Sequence, residues 1–215
     1  MLVYAGVAAL GVEKYGSSWN AALVIQPGEV LDDGALIPAL VAQGEVWRLF
    51  SSMFLHSGIT HLALNMLSLY FLGSFTEEAF GRGRFFALYL LSGISGGLAY
   101  LYFGEFGAPA VGASGAIFGL LGGVLGYSLG RGTFSWQNPL IRQLLILLAL
   151  NLYLGFSIPN ISNTAHLGGL AGGFAFGWLM APTVYSRKRL RALSPVGVVL
   201  GADILVLAAW FLYFA

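Results

Sequence analysis

The chain has no cysteine and very little charge. Without cysteine there can be no disulfide, no thiolate metal site and no cysteine nucleophile, and the redox compartment stays open. Charged residues make up 9% of the 215 and hydrophobic ones 58%. A soluble domain carries roughly a quarter charged residues, so a soluble globular fold is excluded. A formal net charge of +1 with no long basic run argues against nucleic acid as a partner. The three histidines lack the His-Glu-x-x-His pattern and have no carboxylate at ligand spacing, so no metal and no cofactor is expected.

What the chain does have is glycine and long apolar stretches. Thirty-one glycines are spread along it, which suits helices that must pack closely where lipid offers no hydrophobic drive between them. The expected class is an all-α polytopic membrane protein forming one membrane domain over residues 1–215, with the lipid bilayer as its solvent. Apolar segments at about 58–75, 84–103, 113–130, 139–155, 163–181 and 195–214 each approach membrane-helix length. Met1 to Val12 spans only about 18 Å as a helix, so the first helix is expected to be truncated and a cytoplasmic domain to precede it. Glu13 to about Ser57 reads as a long interfacial loop.

The basic residues set the expected orientation. Arg82, Arg84, Arg131, Arg142, Arg187, Lys188, Arg189 and Arg191 fall on one side, and only Lys14 and Arg48 on the other. By the positive-inside rule the N-terminus is cytoplasmic. Small size and the lack of a cleavable signal pattern point to a bacterial inner membrane, with an organelle membrane as the second reading.

Orientation turns scattered polar residues into a candidate site. Ser114, in Val-Gly-Ala-Ser-Gly-Ala-Ile-Phe-Gly, and His166 both lie near the outer ends of inward-running spans. His61 and Asn65 lie near the outer end of the second span, about 40° apart on one helical face. Burying such groups is costly unless they satisfy one another or line a wet cavity. Gly169, Gly173 and Gly177 repeat on the sixth span, and Gly115, Gly119, Gly122 and Gly126 on the fourth, so two smooth faces can bring Ser114 and His166 together. The stripes alone would signify ordinary packing. With a serine and a histidine at matched depth they suggest a nucleophile and its general base, and with no acid at that depth a dyad rather than a triad. The backbone N–H of Ser114, the Asn65 amide and the His61 ring are candidate oxyanion donors. Asn65 reads equally as an interhelical hydrogen bond, Phe118 as a partner of the His166 ring or as plain core, and His56 as interfacial. Gly112 and Gly115 leave room for a substrate backbone or another helix to approach.

Five motifs carry a family resemblance: Gly-Glu-x-Trp-Arg at Gly44 to Arg48, Phe-Leu-His at Phe54 to His56, His-Leu-x-x-Asn-Met at His61 to Met66, Gly-Ala-Ser-Gly at Gly112 to Gly115, and Ala-His-Leu-Gly-Gly at Ala165 to Gly169. In this order and spacing, over about residues 35–182, the chain resembles the rhomboid intramembrane serine proteases. The resemblance implies a six-helix core, with residues 195–214 an added seventh helix. It implies that Ser114 is the nucleophile and His166 its base, with His61 and Asn65 in the oxyanion hole. It further implies a first loop lying sideways in the outer leaflet, Glu77 tying inner helix ends together, and single-pass transmembrane proteins as substrates entering from the side. Phe118 and Gly112 are expected at the substrate-binding surface. The fifth helix and the Gly155 to Ser162 loop are the expected mobile elements. Two other readings are a rhomboid-like protein that binds membrane clients without cutting them and a transporter. The intact Ser114 and His166 weigh against the first, and the lack of inverted repeats against the second. Asp203, an acid inside the last apolar segment, is expected to face the bundle or to be protonated and has no assigned role.

Overall fold

A computed structural model describes residues 34–157, 161–181 and 194–214. Met1 to Val12 and the basic cluster Arg187 to Arg191 lie outside the described residues. The architecture is all helical. Two short helices, α1 (Pro38–Ala42) and α2 (Arg48–Ser51), lead through a 3-10 turn, Ser52–Phe54, to α3 (Ile59–Ser68). A π-helical turn, Leu69–Gly73, joins α3 to α4 (Ser74–Phe80). Then follow α5 (Arg82–Phe103), α6 (Ser114–Gly130), α7 (Pro139–Ser157), α8 (Asn163–Met180) and α9 (Pro195–Phe214).

Among the described residues, α5, α7 and α9 are long and apolar enough to cross a membrane. The unit from Arg48 to Phe80, bent by 93° between Phe54 and Ile59, makes a fourth candidate. At 17 residues α6 is shorter, about 26 Å of helix. The bend and the π-turn are not visible in hydropathy, which places one apolar run at 58–75 where the helix continues to Phe80.

Of the first loop, residues 13–33 lie outside the described ones, and the part from residue 34 on is folded. Arg48 is 4% exposed; its Nε donates to Glu45 Oε2 at 2.6 Å and its Nη1 to the Ala35 carbonyl at 2.8 Å. The guanidinium lies 4.8 Å over the Trp47 ring. Val46, Trp47 and Phe50 face outward, as suits a loop set against lipid. An antiparallel bridge between Leu36 and Ala110, 2.9 Å in both directions, ties this loop to the segment ahead of α6. At the far end of the bundle, Arg82 Nε donates to Glu77 Oε1 at 3.1 Å across the Gly81 turn, joining α4 to the start of α5.

At the centre stands α6, with 13 of its 17 residues buried. Its most extensive contact is with α8, and glycine is the reason. A β-carbon on Gly169, Gly173 or Gly177 would overlap the carbonyl of Gly115, Gly119 or Gly123, and one on Gly122 or Gly126 that of Leu170 or Phe174. The two backbones therefore meet without intervening side chains, close enough for Cα–H to carbonyl contacts.

Candidate active site

One end of this seam, where both helices begin, carries the polar side chains. Ser114 is the first residue of α6, where the backbone N–H has no carbonyl of its own helix to bond. On the other strand of the seam, Ser162 caps α8: its hydroxyl accepts from the Ala165 N–H at 3.2 Å, and its carbonyl accepts from the His166 N–H at 3.2 Å. The cap fixes where the helix starts and so the height of His166, one turn in. His166 Nε2 then lies 2.8 Å from Ser114 Oγ.

His166 is 7% exposed, and its other nitrogen, Nδ1, has no hydrogen-bond partner among the described residues. What orients the imidazole is a ring rather than an acid. Phe118, one turn below Ser114, stacks on it with centroids 4.2 Å apart and planes 6° from parallel. Of the two readings open for Phe118, the contact with His166 is the one observed.

The loop ahead of Ser114 is pinned by the Gly112 N–H, which donates to the Ser52 carbonyl at 2.9 Å. Gly112 has φ of 128°, in the region that favours glycine. It also admits two side chains from α3. A β-carbon at Gly112 would lie 2.9 Å from His61 Nε2 and 3.9 Å from Asn65 Nδ2. These groups therefore converge two residues before Ser114.

Hydrogen bonding fixes what each can donate. The Ser57 backbone N–H points at His61 Nδ1, 3.4 Å away, and the Ser57 hydroxyl is 3.1 Å from the same atom. A backbone N–H can only donate, so Nδ1 accepts, and the neutral ring carries its proton on Nε2, facing Gly112. Asn65 is 6% exposed, and its Nδ2 donates one hydrogen to the His61 carbonyl at 3.0 Å. This is a bond within α3, not the interhelical one that the sequence left open, and the second amide hydrogen has no acceptor among the described residues.

His56 is packed inside the fold. It is 3% exposed and meets His61 edge-on at 5.1 Å. The reason is the 93° turn of the chain on either side of it. His56 lines an apolar cavity of about 270 Å³ with Met53, Leu62, Met66, Tyr89 and Ala113, which lies beside the Ser114 pair and not at it. Hydropathy cannot reveal such a corner, because a turn within an apolar run leaves composition unchanged. Asp203 faces the bundle, at 8% exposure. Among the described residues no group of three or more His, Cys, Asp or Glu is placed to hold a metal.

The arrangement offers a hydroxyl paired with a buried imidazole, and three N–H donors around a glycine loop. A model of the Rhomboid domain matches residues 43–183. Rhomboid protease GluP of Bacillus subtilis strain 168 is 43% identical over 141 residues, 66% of this chain and 27% of that protein. RHOMBOID-like protein 1 of Arabidopsis thaliana is 42% identical over 148 residues, 68% of this chain and 38% of that protein. Putative rhomboid protease YdcA of Bacillus subtilis strain 168 is 39% identical over 139 residues, 65% of this chain and 69% of that protein. The chain thus spans well under half the length of the first two. With the domain model covering well over half the chain, this multi-pass membrane protein belongs to the rhomboid family.

Proposed function

We propose that the chain is an intramembrane serine endopeptidase that hydrolyses peptide bonds in or near the transmembrane segments of single-pass membrane proteins, through Ser114 and His166. The observation that carries this reading is the 2.8 Å contact between Ser114 Oγ and His166 Nε2. Nε2 takes the hydroxyl proton as Oγ attacks the scissile carbonyl, and it returns that proton to the leaving amine. Water then attacks the acyl-serine, with His166 again as base. The Ser114 N–H, His61 Nε2–H and the free Asn65 hydrogen stabilise the oxyanion of both tetrahedral intermediates. With Phe118 stacked on the imidazole, a third, acidic member is not needed to orient it.

The reading also covers access. About 26 Å of α6 is shorter than a hydrocarbon core of roughly 30 Å, so a helix anchored at its inner end begins below the outer surface, with Ser114 as its first residue. Water reaches the site from the outer face, and the substrate enters sideways past α7, its backbone drawn over Gly112 and Phe118. The N-terminus is cytoplasmic, the membrane a bacterial inner membrane, and α9 an addition to a core of about residues 35–182.

The test is cleavage of a single-pass membrane protein in proteoliposomes. Ser114→Ala and His166→Ala are each expected to abolish cleavage while the protein stays folded and inserted. Normal cleavage by either variant contradicts the dyad, and a wild type inert toward a panel of such substrates favours client binding without hydrolysis.

A further inference from the structure

The proposed chemistry leaves one buried acid unused. Asp203 lies mid-way along α9 among apolar residues, where a charge is expensive in lipid. Its Oδ1 is 2.9 Å from Ser95 Oγ on α5, and its Oδ2 is buried without a hydrogen-bond partner among the described residues. Ser95 Oγ is also 3.0 Å from the Leu91 carbonyl one turn back. A hydroxyl has one proton and a carbonyl can only accept. Both contacts are hydrogen bonds when Asp203 is the neutral acid and supplies the second proton.

Two further bonds fasten α9 to α5. Trp210 Nε1 donates to the Leu101 carbonyl at 3.0 Å, and the Tyr102 hydroxyl donates to the Val206 carbonyl at 2.9 Å. The same stretch of α5 is the bed on which α8 rests beside His166. A β-carbon on Gly96 would lie 2.7 Å from the Ala165 carbonyl oxygen, and one on Gly168 2.8 Å from the Ser95 carbonyl oxygen. The Ser95 side chain fills the notch left by Gly172. Ser95 therefore touches Asp203 on one side and the α8 backbone on the other, within two turns of His166.

We infer that Asp203 is a positioning residue: as a neutral acid it clasps Ser95, and through α5 it sets the height at which α8 holds His166 beside Ser114. This rests on the dyad reading above. It gives the last helix a part in catalysis without contact with substrate.

The test is the rate at which a small fluorophosphonate labels Ser114 in the whole 215-residue chain in detergent. Asp203→Leu removes the donor, whereas Asp203→Asn keeps a neutral one. Asp203→Leu and Ser95→Ala are each expected to slow labelling roughly tenfold, as a sub-ångström misplacement of a base would. Asp203→Asn is expected to restore it to within about twofold, and the Asp203→Leu, Ser95→Ala double variant to be no slower than either single one. Labelling of Asp203→Leu at the wild-type rate overturns the inference, as does Asp203→Asn as slow as Asp203→Leu. Should Asp203→Leu fail to fold, Ser95→Ala decides: slow labelling with an unchanged Tm supports the clasp, and a wild-type rate overturns it. A wild type that is not labelled at Ser114 overturns the dyad and this inference with it, whereas a labelled wild type indifferent to Asp203 overturns the inference alone.

Discussion

Two helices of nearly equal length, α6 and α7, hold opposite positions in the bundle. In α6, 13 of 17 residues are buried, and in α7 only Ile141, Leu144 and Gly155 of 19. Their compositions explain the difference. Glycines in α6 let α8 close against its backbone, whereas α7 presents Ile146, Leu150, Tyr153 and Phe156 outward, as a lipid-facing helix does. Glycine in the seam contributes closeness, and closeness holds Ser114 and His166 at 2.8 Å. Large apolar side chains in α7 contribute affinity for lipid and little for the bundle. Under the proposed function, one region suits a fixed reaction centre, and the other suits an element that moves to admit a substrate.

Breaking the seam gives the largest effect. Gly173→Val puts side-chain atoms into the Gly119 carbonyl and is expected to cost about 3 kcal/mol or more of stability, with cleavage lost. Thermal unfolding in detergent beside a cleavage assay measures both, and a native Tm contradicts the closeness of the seam. Next comes restraint of α7. The chain has no cysteine, so an engineered pair can link α7 to α3 cleanly. The disulfide is expected to block cleavage of a transmembrane substrate while a small fluorophosphonate still reaches Ser114. Unchanged cleavage rules out α7 as the gate.

A third variant touches neither region. Asn65→Ala removes a donor that the proposed mechanism assigns to the oxyanion, and is expected to lower kcat about 100-fold, roughly 3 kcal/mol, without abolishing activity. Unaltered kcat leaves Asn65 its hydrogen bond within α3 and no part in the chemistry. The smallest effect is expected on the lipid face of α7, where Leu150→Ala should shift stability by less than about 0.5 kcal/mol. A loss as large as that of Gly173→Val would erase the contrast between the two helices.

Much of this contrast is legible in the sequence, because glycine spacing and hydropathy are local properties. The stripes Gly169, Gly173 and Gly177 and Gly115, Gly119, Gly122 and Gly126 anticipate the seam, although the register also brings in Gly123. The apolar segments anticipate α5 to α9 to within two residues at each end. Matching the depths of Ser114 and His166 required only that both lie near the starts of spans running the same way. Other features depend on where the chain turns or on partners far away in sequence. The proton on His61 Nε2 follows from the Ser57 backbone N–H, which exists as a donor there only because the chain turns between Phe54 and Ile59. His56 is buried by the same turn. Asp203 stands 108 residues from Ser95, and no periodicity in either helix announces the pair.

Labelling by a serine-reactive fluorophosphonate tests the central claim most directly, because it reads the activated hydroxyl without needing to know the substrate. Wild-type protein in detergent is expected to be labelled at Ser114, and Ser114→Ala and His166→Ala are expected to remain unlabelled with an unchanged Tm. Labelling that persists in folded His166→Ala, or that maps to another residue, would contradict the account of Ser114 and His166 as nucleophile and base.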